Sequence, residues 1–439
     1  MITNLFTIQS AENIRVSRGL RVYGCLVFCA ALISATSGNI SASTLPQQGR
    51  QGRTVSANQF PGQDLGAKIN AADKALGTAP GEIVVSGGGT ISTQVIISSD
   101  HVLRFRAGTY ATRTTNIPIL LKPRSSVIGS GWDSIILEST AKDQFTVISA
   151  YNASILNGSA DSGLLIRDVQ IKGANPGFNS APQAISLGNC SGCTVDKVWI
   201  NGTRSIGIQL GGSSTLGNFA QNSKVINCKF TRVASQNLAL VNGKDILFEG
   251  NQFLIPGQAG GPGSTNIDLE VNESADRLEN VIIRNNLIDA RNSELPTSGN
   301  GIVIQATTGT PHVGKILVEG NTIIGGETQG TVTNVMSNGI YIYGDTMRDV
   351  TIRNNTIRRT GQSGISVEGT QIYVLNNQLF DVGGGGIPGF VVNASNSQIV
   401  GNSLDYSGVG PADGRLIVHR DSKQNVIRNN RGWTVTNSP

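Results

Sequence analysis

Charge is what this sequence has least of. Only 14% of its 439 residues are Asp, Glu, Lys or Arg, while 38% are hydrophobic. Disordered chains carry many charges and few apolar residues, so this composition excludes one. The net charge is +5, and the basic residues are dispersed. No basic stripe and no aromatic-basic module is present, so nucleic acid is not an expected partner. Cysteine is scarce too. Beyond Cys25 and Cys29 near the N-terminus there are Cys190, Cys193 and Cys228. Three is an odd number, which excludes a disulfide framework. Cys190-x-x-Cys193 is read as structural, with a local disulfide left open for an oxidising compartment. A zinc site would need a second pair of ligands, which is lacking.

Long apolar runs are also rare. The one that stands out, Leu20 to Ala35, follows Arg15 and Arg18 and encloses Arg21. It is shorter than the about 20 apolar residues that a membrane span needs. Small residues follow it (Ser37, Ser41, Ala42), which is the layout of an export signal. Residues 1–42 are therefore expected to be a signal peptide and 43–60 a linker. The mature protein is expected outside the cytoplasm, extracellular or periplasmic, without stable membrane insertion. Nothing in the sequence fixes an oligomeric state.

Glycine, in contrast, is abundant: 55 residues, with no Gly-x-y period. Collagen is excluded, and many tight turns between short strands are implied. A short pattern recurs: apolar, any, Gly or Asn, Asn, any, apolar. It reads FEGNQF at 248–253, IRNNLI at 283–288, VEGNTI at 318–323, IRNNTI at 352–357, VLNNQL at 374–379, IVGNSL at 399–404 and IRNNRG at 427–432. Its fourth position forms a series, Asn251, Asn286, Asn321, Asn355, Asn377, Asn402 and Asn430. A fixed motif at variable spacing means a rigid coil with loops of differing length. Stacked Asn amides would satisfy one another inside such a coil.

About 15 residues after most copies comes a second, alternating strand, as in NIDLEV at 266–271, GIVIQA at 301–306 and GIYIYG at 339–344. Alternation buries one face and leaves the other to solvent. Leucine-rich repeats are Leu-dominated and have a helical face, which this chain lacks. The expectation is all-β, a single-stranded right-handed parallel β-helix over 111–432, with a tail at 433–439. Residues 61–110 are expected to hold the N-terminal cap and first strands. Within them, Leu65, Ile69, Ala72 and Leu76 share one helical face, so an amphipathic helix is expected to close the open end of the core.

The segments DLGAKINAADKAL, GEIVV, FRAGTY and SVIGSGWDSIIL resemble the start of pectate-lyase-superfamily proteins of the rhamnogalacturonase and epimerase-like type. With the Asn-bearing coils, the resemblance covers about residues 60–432. It implies the fold and a carbohydrate setting. It implies no one reaction, since that superfamily includes lyases, hydrolases, epimerases, tailspikes and adhesins. Two of its reaction patterns are missing: the several Asp, His-Gly and Arg-x-Lys of polygalacturonases, and the Asp-Pro-His of alginate epimerases.

In a parallel coil, outward residues of successive second strands stack about 4.8 Å apart. One column is read as Gly207, Ala239, Asp268, Val303, Tyr341 and Ser366. The next is read as Gln209, Val241, Glu270, Gln305, Tyr343 and Glu368. Asp268 and Glu270 flank Leu269, so both carboxylates point outward, with Cβ atoms roughly 6.5–7 Å apart. Like charges at such spacing push one pKa up and yield an acid and a base, the pair that glycosidic-bond cleavage uses. Tyr341 and Tyr343 are expected to stack on sugar rings, with Gln305 binding a hydroxyl. Glu368 lies three coils from Glu270, roughly 14 Å away, and can serve only a subsite.

The blander reading of the carboxylates is a solvated face, or a calcium site completed by Glu273 and Asp276. His312 and His419 fall away from the pair by this register. Arg232, Lys244 and Arg291 are the loop cations within possible reach, and a lyase acting on uronates would need such a cation. The functional expectation is an exported carbohydrate-active enzyme that cleaves or rearranges a polysaccharide or oligosaccharide. The alternative is a non-catalytic glycan-binding or surface structural β-helix. No cofactor is firmly implied; calcium is the one considered.

Overall fold

The computed structural model describes residues 52–437, apart from 114–116, 138–145, 152–159, 174–182, 255–264, 293–298, 307–311, 327–335, 345, 385, 408–412 and 420–421. These residues belong to one unit, Gln48–Pro439. The segment read as an export signal lies outside the described residues.

The chain winds as a right-handed parallel β-helix. Every ladder pairing between named strands is parallel, and the strands align as three ladders. Ladder 1 carries the alternating strands, including Leu238–Leu240, Thr265–Val271, Asn300–Ala306 and Ile340–Tyr343. Ladder 2 includes Gly243–Glu249, Arg277–Arg284 and His312–Glu319. Ladder 3 includes Gln252–Leu254, Leu287–Asp289 and Thr322–Ile324. Each coil runs through the three in that order. The core is a continuous stack: Ile267, Leu269 and Val271 of one coil lie under Ile302, Ile304 and Ala306 of the next. Phe230 and Phe253 stack inside it, 4.8 Å apart and 9° from parallel.

The recurring motif is the turn between ladders 2 and 3. Its third residue is left-handed in every copy: Gly250 (φ 65°), Asn285 (56°), Gly320 (63°), Asn354 (56°), Asn376 (56°), Gly401 (72°) and Asn429 (57°). Only Gly and Asn adopt that conformation at little cost, which is why the motif admits those two. The next Asn, buried from Asn251 to Asn402 and half-buried at Asn430, bonds along the stack. Asn321 Oδ1 accepts from the Asn286 backbone N–H and Nδ2, at 3.0 and 2.9 Å. Asn321 Nδ2 donates to Ile283 O and to Asn355 Oδ1, at 3.0 and 2.9 Å. The same pattern links Asn251 through Asn430. At the lower end Asn251 Oδ1 takes the Cys228 backbone N–H, so a cysteine holds the preceding place.

Helix α1 (Leu65–Leu76) closes the N-terminal end. Asp64 caps it, accepting from Ala67 N, and also accepts from Thr93 N on the first coil. Leu65, Ile69, Ala72 and Leu76 are buried, the face read from the sequence. A buried His101 joins α1 to the coil: Nδ1 meets Asp73 Oδ1 at 2.7 Å and Nε2 meets Ala79 O at 3.0 Å. Two segments expected to be irregular are strands. Arg53–Ser56, inside the stretch read as linker, pairs with Gly81–Val85. Thr434–Asn437, inside the stretch read as a tail, pairs with Arg415–Val418. Each supplies the hydrogen bonds that an open edge otherwise lacks.

Cys190, Cys193 and Cys228 are free and buried, so the local disulfide left open from the sequence is absent here. Burial pushes the Cys228 thiol up to about 12.

Candidate active site on ladder 1

Thr265–Val271 lies between Leu238–Leu240 and Asn300–Ala306. Alternation turns Asp268 and Glu270 to the outer face because Ile267, Leu269 and Val271 fill the core. Asp268 stacks between Ala239 below and Val303 above, with Tyr341 and Ser366 on the next rungs. Glu270 stacks under Gln305, which stacks under Tyr343. From Ala239 and Val241 upward the columns hold as read from the sequence, but the coil below them is shifted, so that Gly207 is not under Ala239. Gln209 lies opposite Ala239, and so under Asp268, not under Glu270. Alternation fixes which face a residue takes but not its rung, and Ile208–Leu210 is too short to decide between rungs.

Asp268 is outward yet only 5% exposed. Its neighbours along the column, Ala239 and Val303, are apolar and themselves 5% exposed. Its Oδ2 accepts from Gln236 Nε2 at 3.2 Å, and Ser235 Oγ donates to Gln236 Oε1 at 2.7 Å. Its Oδ1 meets no hydrogen-bond donor among the described residues. Burial first, then the charge of Glu270, pushes the Asp268 carboxyl up to about 7, against the bond from Gln236. Burial also raises Glu270, opposed by its hydrogen bond with Asn272. The two carboxyls are thus inequivalent: one holds a proton near neutral pH more readily than the other.

Tyr341 and Tyr343 face the same groove, their rings stacked with centroids 4.9 Å apart. The Tyr343 hydroxyl donates to Gln305 Oε1. Burial, with the nearby Tyr341, Glu270 and Asp268, pushes the Tyr343 hydroxyl up to about 12, and burial with Glu368 raises Tyr341. Both therefore stay protonated donors. Glu368 is engaged at the far end, accepting from Gly344 N at 3.2 Å and from Asn393 Nδ2 at 3.3 Å.

The calcium alternative with Glu273 and Asp276 does not fit. Glu273 accepts from Ser213 Oγ, Ser214 Oγ, Thr215 N and Thr215 Oγ1. These bonds hold its carboxyl down at about 2. Asp276 accepts from Ser214 N, Asn272 N and Glu273 N. The two carboxylates clamp the turn around Ser214–Leu216. No cluster of His, Cys, Asp and Glu that could hold a metal occurs among the described residues. Lys244 pairs with Glu279 on ladder 2, and Arg291 pairs with Asp289 after ladder 3, so neither is directed at the carboxylates. Sequence reading missed Gln236, because it lies in a turn without periodicity. It also missed that His312 opens a ladder 2 strand and pairs beside Arg277.

A family model described as a right-handed β-helix region matches residues 152–347 and 338–438. Among solved structures, an exopolygalacturonase of family 28 from Yersinia enterocolitica is similar over 86% of this chain and 78% of its own, with TM-score 0.57 and 12% identity. A mannuronan C-5 epimerase A-module from Azotobacter vinelandii is similar over 88% and 97%, with TM-score 0.51 and 14% identity. PfbA, a surface adhesin of Streptococcus pneumoniae, is similar over 88% and 91%, with TM-score 0.55 and 13% identity. No curated protein matches the sequence. At such identities these likenesses concern the fold.

Proposed function

Because this chain belongs to the right-handed β-helix family, we propose that it is an exported carbohydrate-active enzyme that cleaves glycosidic bonds in a polysaccharide. The observation that carries this reading is the asymmetric carboxyl pair on ladder 1. Asp268, buried between Ala239 and Val303 and raised to about 7, retains a proton to deliver to the leaving oxygen. Glu270, more exposed, is the base or nucleophile at the anomeric carbon. A carboxyl separation of about 5–5.5 Å favours direct attack, and about 6.5–9.5 Å favours activation of a water. Tyr341, Tyr343 and Gln305 offer ring faces and hydroxyl partners along the groove, and Glu368 borders a more distant subsite. Of the loop cations that a lyase route could use, Lys244 pairs with Glu279 and Arg291 with Asp289.

Export rests on the Arg-flanked apolar run at 20–35. Among the described residues no helix is long and apolar enough to cross a membrane.

The test is a polysaccharide panel that follows reducing ends and the absorbance of unsaturated products together. Reducing ends without absorbance are expected. Asp268→Asn and Glu270→Gln should each lower turnover by ~100- to 10,000-fold with oligosaccharide binding kept. Glycan binding without turnover, unchanged in both variants, would instead identify a binding protein.

A further inference from the structure

A cavity of about 450 Å³ lies where the chain passes from ladder 1 to ladder 2, and its lining includes Arg277, His312, Phe219, Asn218, Ser214 and Ser274. Arg277 and His312 are direct partners on adjacent coils. The Arg277 guanidinium stacks on the Phe219 ring, 4.4 Å from its centroid. Its backbone N–H is taken by Asn242 Oδ1. Its side chain forms no ion pair with a described carboxylate, although Arg284, Arg353 and Arg415 each do. The acids nearest in sequence are committed elsewhere: Asp276 accepts from Ser214 N, Asn272 N and Glu273 N, Glu279 pairs with Lys244, and Glu273 accepts from Ser213 Oγ and Thr215 Oγ1. The cavity thus presents a planar cation over an aromatic ring, with an imidazole beside it and side-chain amide and hydroxyl groups around it. Its volume is in the range of small-molecule sites. A guanidinium fork matches carboxylate and sulfate oxygens better than any other side chain.

We propose that this cavity binds the anionic group of an acidic sugar unit, a carboxylate or a sulfate ester, with Arg277 as its main contact. The inference rests on the carbohydrate reading of ladder 1 for its ligand class, and it adds the sign of the substrate's charge. The link is short. Glu270 bonds with Asn272, the Asn272 backbone N–H bonds with Asp276, and Arg277 follows. Glu270 and Arg277 are thus joined through one turn, Asn272 to Asp276.

The test is calorimetric binding of oligogalacturonate and of sulfated chondroitin oligosaccharides to the full chain. Carboxyl-reduced oligogalacturonate and chondroitin that is both desulfated and carboxyl-reduced serve as neutral references, and chondroitin that is desulfated only keeps its carboxylates and separates the two anions. Wild type, Arg277→Ala, Arg277→Lys and Asp268→Asn are compared. Acidic ligands should bind, Arg277→Ala should weaken them at least tenfold, and Arg277→Lys should recover part of the loss. The neutral counterparts should be indifferent to all three changes, and Asp268→Asn should bind acidic ligands like wild type. Loss on carboxyl reduction assigns a uronate; loss on desulfation assigns a sulfate ester. Equal binding of acidic and neutral ligands, no binding of either, or an Arg277→Ala affinity within twofold of wild type overturns the proposal. Turnover is scored separately. Arg277-dependent binding without any turnover removes the enzyme reading and leaves this one. Turnover that needs Asp268, with acidic binding indifferent to Arg277, does the reverse.

Discussion

Asp268→Asn should stabilise the protein, and only on the alkaline side. The Asp268 carboxyl ionises near pH 7 in the folded chain against 3.8 as the ordinary value. Between these two pH values the folded state holds the proton more tightly than the unfolded state. Stability therefore falls as pH rises through this window, the opposite of a salt-bridged carboxylate. At ~1.4 kcal/mol per pH unit, the whole interval amounts to about 4 kcal/mol of destabilisation, complete above pH 7 and absent below about 3.8. The cause is geometric: Ala239 and Val303 exclude water on both sides, and among the described residues Gln236 alone donates to the carboxylate. An amide of the same shape removes the charge and keeps the Gln236 bond. Urea unfolding of both proteins at pH 4.5 and pH 8.5 measures the difference. The variant should gain up to ~4 kcal/mol at pH 8.5 and only about 1 kcal/mol at pH 4.5. A gain that is equal at both pH values, or a loss at pH 8.5, refutes the reasoning that desolvation governs this carboxyl.

Three further outcomes follow from the scaffold. Asn321→Leu takes the side-chain partner from the Asn286 backbone N–H and from Ile283 O, removes one of the two bonds of Asn286 Nδ2 and of Asn355 Oδ1, and should cost about 3–5 kcal/mol by thermal or urea unfolding. Asn430→Leu, at the end of the column, should cost clearly less, and equal costs would count against a cooperative stack. Glu273, held down at about 2, should keep its clamp intact above about pH 4.5 and lose it only as pH falls towards 2. Glu273→Ala should speed hydrogen exchange at the Thr215 amide at pH 7, and an unchanged rate would mean that the clamp is dispensable. Cys190, Cys193 and Cys228 are buried, so iodoacetamide at pH 8 should label them only after unfolding. Mass spectrometry of the native protein showing alkylation at any of the three would contradict this.

Much of the scaffold was legible because its constraints are local and repeated. The Gly/Asn-Asn pair marks a left-handed residue followed by a buried amide, and each copy states both requirements within two positions. The alternation around Leu269 was enough to place Asp268 and Glu270 side by side on one face. What could not be read depends on neighbours from other coils. Asp268 looked solvent-facing from its own strand, yet Ala239 and Val303, about 30 residues before and after it, bury it. Glu273 and Asp276 looked like cation ligands because their spacing is short, while their partners, Ser213 to Thr215, lie some sixty residues away. The rung of Gln209 failed for a related reason: a period of two is blind to a shift of two. Arg277 and His312 gave no signal at all, since 35 residues separate two side chains that occupy neighbouring rungs.

The left-handed turn before each column asparagine makes the coil a unit of exchange. Every boundary from Asn251 to Asn430 offers the same set of donors and acceptors. A coil inserted or removed at one of them meets neighbours that cannot distinguish it from the original. The groove then acts as a ruler graduated in steps of about 4.8 Å. One coil added between Asn300–Ala306 and Ile340–Tyr343 would carry the tyrosines one graduation away from the carboxylates and leave both sets otherwise intact. Spacing along this surface can therefore change by whole steps while the chemistry at each step stays fixed.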